Sequence, residues 1–495
     1  MRKKKLFLNT GTALLNQIIT LICGFILPRQ ILIHFGSDMN GLVSSITQFL
    51  GFISLMEMGV GAVVQSSLYK PLAEKDENEI SSIMVAAGSF FNKIAVAMIA
   101  YTVILMVFYP TCINNSYGFW STAILVAAIS ISSIAQYFFG ITNQLLLNAD
   151  QKSYVQLLVQ SIATILNTAV SVFLITAGCS INIVKLGSSL VLLIRPLILH
   201  TYVKKFYNID KNIVLTHEPL KQKWNSMTQH IATFVVDRTD VAVLTVLSTL
   251  TNVSIYYVYH LVVTGLYQVF VVMLTGVQAL FGDMYARKEY DKFNSTFSFM
   301  EWIAHTGVAF LFGCTGVLMI PFVTVYTNGV SDANYIIPVF AWLITLAYAF
   351  CCLRGFYNTI IKAVGHYRET QASAIIEAVL NISISIALVW KWGLVGVAIG
   401  TLIAMSYRTL YLEVYIKNNI LNRSFFVFLK NMLIDALTIV VIYLSTKWIQ
   451  LSAVSYMGWF IMAIKVCVVA AVDTVIINVI FYRKFICDTV CKIKK

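Results

Sequence analysis

The sequence predicts an all-α polytopic membrane protein. It should have about 14 transmembrane helices, arranged as two six-helix lobes in parallel repeat with two additional C-terminal helices. Three observations predict this. The composition is 59% hydrophobic and only 12% charged, with a mean hydropathy of +0.80, against about 25% charged in soluble domains. Apolar windows long enough to cross a ~30 Å hydrocarbon core recur along the whole chain. Lys and Arg then alternate in density from one connection to the next, as passes through a membrane require.

The windows fall at 6–27, 42–66, 82–109, 118–146, 154–177, 183–203, 226–248, 254–281, 296–322, 335–360, 370–390, 394–415, 425–446 and 456–481. The first follows Arg2-Lys3-Lys4-Lys5 and lacks a small-residue cleavage site after a short apolar core, so it is expected to be retained. Pro28, Pro196 and Pro338 stand where helices can bend or end. The longest polar connection, 204–225, divides the chain into an N-terminal lobe (1–203) and a C-terminal lobe (226–417). The two additional helices and a basic tail occupy 418–495.

With the N-terminus inside, about 26 of the 35 Lys and Arg fall in inside connections and tails. About three fall outside and about six lie within spans. Both termini are therefore expected in the cytoplasm. Outside connections such as 111–118 and 251–252 carry no charge. The formal net charge of +13 is explained by this sidedness rather than by nucleic acid, which is not expected as a partner.

The halves repeat. Gly187, Arg195, Tyr202 and Lys204 match Gly400, Arg408, Tyr415 and Lys417 at an offset of 213. Gly140, Asn143 and Gln156 match Gly355, Asn358 and Gln371 at 215, and Gly59-Val60 matches Gly276-Val277 at 217. Six passes are an even number, so the copies share one orientation, an arrangement found among secondary transporters.

The seventh window carries Asp237, Arg238 and Asp240 at its middle. A charge at that depth costs about 2.5–3.5 kcal/mol on insertion scales, so these side chains must face a bundle interior or a wet cavity. His230, Thr233, Asp237 and Asp240 follow steps of three, four and three and share one helix face. Arg238 points about 100° away, so its partner must come from another helix or a ligand. The close aspartates form a candidate proton or cation site; the plainer alternative is a polar seam between helices. Other charges within windows are Glu57, Lys93, Lys185, Arg195, Arg354, Glu377, Asp435, Lys465 and Asp473. Arg195, Arg408 and Lys465 read as anchors whose long stems reach the headgroups. Glu57, Lys93 and Arg354 lie too deep for that, while Asp435 and Asp473 read as structural.

No catalytic signal appears. The sequence holds no P-loop, HExxH or GxSxG. Its nine cysteines show no CxxC or metal spacing. No enzyme, metal or cofactor is expected.

Several stretches together resemble bacterial Wzx-type polysaccharide flippases of the multidrug/oligosaccharidyl-lipid/polysaccharide (MOP) exporter superfamily. They are Pro28-Arg29, Gly36 through Asn40-Gly41-Leu42, Glu57-Met58-Gly59-Val60-Gly61, Tyr69 through Ala73, Gly365-His366, Glu369-Thr370-Gln371, Gly393 through Gly400, and Tyr407-Arg408-Thr409. The resemblance covers about 9–425. It implies a V-shaped pair of six-helix lobes in the bacterial cytoplasmic (inner) membrane. By alternating access the pair would move undecaprenyl-diphosphate-linked oligosaccharide to the outer leaflet for polysaccharide biosynthesis. Partners would be the lipid-linked oligosaccharide, membrane lipid, H⁺ or Na⁺, and other polysaccharide-assembly proteins. Under it, Arg238, Lys93, Arg354 and Arg29 become candidates for binding the diphosphate, and Asp237, Asp240 and Glu57 candidates for the coupling ion. A cation-coupled multidrug exporter of the same superfamily, and a membrane glycosyltransferase or polymerase, are the alternatives.

Overall fold

This computed structural model describes residues 2–483 other than 58, 114–116, 211–226, 367 and 422; for 2–4, 6, 7, 227–233, 237 and 275 it describes the backbone alone. Most of the expected 204–225 connection and the basic tail from 484 therefore lie outside the described residues. Among those described, all regular structure is helical.

The chain divides into two compact units. One comprises Met1–Phe234 with Thr249–Ser254, the other Val235–Ser248 with Ile255–Lys495. The first unit opens with α1 (Arg2–Gly51), whose helix breaks at Gly36 (φ 83°, ψ 176°). That region of backbone space is essentially restricted to glycine, so one long run of helix becomes two passes. The second pass continues through a 3-10 turn (Phe52–Met56), breaks again at Gly59 (φ 87°) and ends as α2 (Val60–Glu74). Asp76 then caps α3 (Glu77–Cys112), its side chain accepting from the Glu79 amide at 3.0 Å. The fourth pass is α4 (Phe119–Ala135), a π turn (Gln136–Gly140) and α5 (Ile141–Ala149). Next come α6 (Ser153–Thr176) and a sixth pass built from α7 (Ile181–Leu192) and α8 (Ile194–Phe206). Pro196 sits in the first turn of α8, and Pro28 lies inside α1.

Then follow α9 (Met227–Leu247), α10 (Leu250–Ala286), α11 (Tyr290–Tyr326) and α12 (Pro338–Ala363), the last with Pro338 at its first turn. In α13 (Gln371–Ile416) Gly393 (φ 52°, ψ −125°) breaks the helix into two passes, as Gly36 does in α1. Finally α14 (Phe425–Thr446) and α15 (Tyr456–Phe481) are each capped by a serine, Ser424 and Ser455.

Eleven helices are long and apolar enough to cross a membrane. Dividing two of them at Gly36 and Gly393, and adding the charged α9, gives fourteen passes among the described residues, close to the sequence windows. The surface requires a membrane. On α15, Ile464, Val468, Val472, Val475 and Val479 form an exposed stripe, while Met462, Val466, Ala470 and Ile477 face inward. An apolar stripe of that length is stable against lipid tails and not against water.

The turns carry a pattern of their own. Left-handed residues occur at Lys75, Gln151 and Gly178, and again at Lys288, Gly365 and Gly393. The pairs stand 213, 214 and 215 residues apart, the spacing already seen in the sequence. One sequence match behaves differently: Gly59 breaks its pass, whereas Gly276 lies inside the continuous α10.

In the first unit a polar knot ties the start of α1 to the turn after α5 and to the end of α8. Lys152 (2.7 Å) and Lys5 (3.3 Å) both reach the Asp150 carboxylate, and the Tyr207 hydroxyl donates to it at 2.5 Å. Asn9 accepts from the Tyr154 amide and donates to the Gln151 carbonyl.

Candidate functional sites among the buried charges

In the second unit α9 packs its Asp240 among three hydroxyl and amide donors. Tyr256 donates to Oδ2 at 2.9 Å, Thr401 to the same oxygen at 2.7 Å, and Asn381 to Oδ1 at 3.2 Å. Asp240 is 3% exposed, and Asn381 Oδ1 is buried with no hydrogen-bond partner among the described residues. A carboxylate, an amide oxygen and a hydroxyl are hard oxygen donors, suited to a proton or a small cation. Arg238 is half-buried, and its charge acts on Tyr257 and His260 of α10. The Asp237 side chain lies outside the described residues, as do those of His230 and Thr233.

A second site joins α12 to both halves of α13. Glu377, fully buried, takes Arg354 on one oxygen and Arg408 on the other, the latter at 2.7 Å. Arg354 also contacts Cys351 Sγ at 3.1 Å. Two guanidiniums on one carboxylate leave a net positive charge within the spans. Arg408 thus corrects the sequence reading: it is 2% exposed and turned inward rather than reaching for headgroups. Arg195, its sequence match at the 213-residue offset, is half-buried and donates to Gln144 Oε1 at 2.9 Å. Stem length permits snorkelling, but a buried hydrogen-bond acceptor within reach is the stronger claim on a guanidinium.

A third network was not foreseen as a site. From α11, Glu301 and His305 project four residues apart onto one face. The Tyr357 hydroxyl of α12 donates to Glu301 Oε1 at 2.8 Å and meets His305 Nε2 at 2.9 Å. His305 Nδ1 meets Asp435 Oδ2 of α14 at 2.5 Å. Arg423, between the spans, grips both oxygens of Glu301 (2.5 and 2.6 Å) and also Glu413 of α13 (2.5 Å). Burial works against the Arg423 charge, but hydrogen bonds and charges from Glu301 and Glu413 outweigh it and hold the group above the ordinary guanidinium range. Sequence reasoning singled out neither Glu301, Glu413 nor His305. The available signal was that all three fall inside apolar windows, Glu301 and His305 in 296–322 and Glu413 near the end of 394–415, where an ionisable side chain needs a partner.

In the first unit, Glu57 stands at the broken second pass. Its side chain hydrogen-bonds Tyr137, and Oε2 is buried with no hydrogen-bond partner among the described residues. Lys93 is exposed near the middle of α3, beside exposed Asn92, and Arg29 is half-buried on α1. The structure thus brings Arg354 together with Glu377 and Arg408, and Asp240 together with Asn381 and Thr401; Glu57, Lys93 and Arg29 stand on three separate passes. Among the described residues, no group of three or more His, Cys, Asp or Glu could hold a metal ion.

No family model matches the sequence, and no curated protein matches it. Solved structures do. The lipid II flippase MurJ in an inward closed conformation superposes with a TM-score of 0.72 at 18% identity, covering 97% of this chain and 100% of that one. An inward-facing multidrug resistance MATE family transporter of the MOP superfamily gives 0.57 at 13% identity over 80% and 93% of the two chains. A MOP superfamily transporter from Pyrococcus furiosus gives 0.54 at 14% identity over 85% and 95%. At these identities what the chain shares with the three is a fold, a multi-pass helical membrane fold, and it shares that fold along most of its length.

Proposed function

We propose that this chain is a flippase. It moves undecaprenyl-diphosphate-linked oligosaccharide from the cytoplasmic to the outer leaflet of the bacterial cytoplasmic membrane, by alternating access of two six-pass repeats. The observation that carries this reading is the end-to-end likeness to a lipid II flippase. The recurring left-handed turns support the repeat, and the Wzx-type resemblance supports a glycan cargo.

The physical problem is to carry a diphosphate and several sugars past hydrocarbon, where an unpaired charge is prohibitively costly. Arginine suits that task, because its planar fork bonds two phosphate oxygens at once. In this reading Arg354, with the surplus charge of the Glu377 site, Arg238, Lys93 and Arg29 stand in for the water of the diphosphate. Asp240 is the coupling-ion residue on the observed donors, with Asp237 and Glu57 as further candidates for H⁺ or Na⁺. The membrane potential would add ~2.3 kcal/mol per charge per 100 mV to the expulsion of net negative charge.

The test is depletion of the protein in its host, followed by measurement of lipid-linked oligosaccharide in each leaflet. Intact lipid-linked oligosaccharide should accumulate on the inner leaflet. No accumulation, together with new drug sensitivity, would favour the multidrug exporter. Truncated glycans in its place would favour a glycosyltransferase or polymerase. Arg354→Ala and Asp240→Asn should each lower flipping in vesicles at least tenfold.

A further inference from the structure

The hydrogen bonds joining α11, α12 and α14 can be counted, and the count does not close with ordinary protonation states. Four groups stand in line, Asp435, His305, Tyr357 and Glu301, with contacts of 2.5, 2.9 and 2.8 Å between successive members. Each contact needs one proton. A carboxylate supplies none, a neutral imidazole one and a phenol one. The line therefore has two protons for three bonds. A third proton closes it in any of three ways: on the imidazole, so that His305 donates at both nitrogens; on Asp435, donating to Nδ1; or on Glu301, donating to Tyr357, which then donates to Nε2. Shifting protons along the line interconverts these forms without moving a heavy atom.

We propose that Asp435–His305–Tyr357–Glu301 is a proton-binding wire that holds one exchangeable proton inside the second unit and couples its release to the contact between α14 and α11. The surroundings favour the extra proton. The groups facing the wire are Glu413 from α13, Arg423 from the connection before α14, and Tyr482 from the end of α15, whose hydroxyl donates to Asn431 at 2.7 Å. Asn478 of α15 faces the same helix, accepting from Trp302 and Thr306. Among the described residues facing the wire, three carboxylates, Glu301, Glu413 and Asp435, stand against Arg423 when His305 is neutral. A proton on the wire reduces that surplus negative charge. Glu301, His305 and Tyr357 are at most 1% exposed and Asp435 8%, so the line is largely shielded from bulk solvent. When the proton leaves, two acceptors face each other in one of the three contacts. The His305–Asp435 contact is the most exposed to this loss, because it is the one that ties α14, a helix outside the twelve-pass repeat, to α11.

The consequence for transport rests on the flippase reading, and the site itself does not. The wire and the Asp240 site have no residue in common, so protonation at the wire is separable from ion binding at Asp240.

Two measurements on the purified full-length protein in lipid nanodiscs test the site directly. Infrared difference spectra between about pH 5 and about pH 8, the range over which histidine ordinarily changes charge, should show carboxyl and imidazole bands titrating together. In Asp435→Asn the amide supplies the missing donor permanently, so the fold should keep its melting temperature while those coupled bands disappear. Tyr357→Phe should cut the line, leaving the Asp435–His305 bands but uncoupling Glu301. A wild-type protein without coupled bands, or an Asp435→Asn protein that titrates like wild type, would overturn the proposal. In reconstituted vesicles Asp435→Asn should reduce the pH dependence of transport, leaving only the part that belongs to Asp240. If wild-type flipping is present but pH-independent, the coupling role is overturned while the flippase reading stands. If the bands titrate but no lipid is flipped, the wire stands and the flippase reading falls.

Discussion

At the scale of single residues, the buried charges decide how the passes of the second unit hold together. Glu377 takes both Arg354 and Arg408 on one buried carboxylate. Removing one member of a buried ion pair costs about 3–5 kcal/mol, because the others stay buried without compensation. Glu377→Gln should therefore lower the melting temperature of the purified protein far more than Glu74→Gln, whose partner Lys70 is an exposed neighbour at 3.9 Å. Asp150 makes a pH prediction. Burial raises its pKa, but the Lys152 and Tyr207 hydrogen bonds and the Lys152 and Lys5 charges outweigh burial and push the carboxyl below its ordinary value. A carboxyl with a depressed folded pKa stabilises fully above the unfolded pKa of about 3.9 and loses that contribution as pH falls through the folded value. Melting curves of the wild type should drop on acidification below about pH 4, and Asp150→Asn should show a smaller part of that drop. Depth in an apolar window made Asp240 and Arg354 legible in the sequence. Their partners were not legible, because 141 residues separate Asp240 from Asn381 and 23 separate Arg354 from Glu377. Such pairs are set by which helix faces meet.

At the scale of elements, two glycines act where any other residue is strained. Gly36 and Gly393 take backbone angles that a side chain resists, and the first residue of each following pass depends on them. Gly393→Ala should cost about 1–3 kcal/mol of strain. Gly276→Ala, in a continuous helix with nothing within 4 Å of the added carbon, should be neutral or stabilising by about 0.5–1 kcal/mol. Paired thermal melts of the two variants would separate a required kink from an incidental glycine. Gly41 is a different case, since a methyl there would strike the Leu250 carbonyl. The sequence windows placed each pass to within a few residues but not the helix ends, which run on past the apolar stretch in α3 and α11. Asp76 caps the start of α3, and left-handed Lys75 and Lys288 precede the starts of α3 and α11.

At the scale of the whole chain, the alternation of Lys and Arg predicts that both termini face the cytoplasm. A cysteine introduced at Thr251 or Asn252 should react with a membrane-impermeant reagent in intact cells. One introduced at Lys70 or Glu79 should react only after permeabilisation. Labelling of both sites in intact cells would break the assumed sidedness and the repeat with it. Lys75 and Lys288, Gln151 and Gly365, and Gly178 and Gly393 stand at nearly constant offsets, as a repeat of two halves would place them.

What the sequence determined alone was the solvent and the passes: apolar periodicity, charge density and glycine placement act locally, so they can be read along the chain. It also marked Asp240, Arg354 and Glu57 as expensive residues that need a reason. The tertiary structure decided the partners. Arg408 turned to Glu377 instead of the headgroups, and Asp435, which read as structural, met His305 at hydrogen-bond distance. Those contacts follow from the rotation and depth at which helices pack, quantities that depend on every side chain in the interface and leave no local mark in the chain.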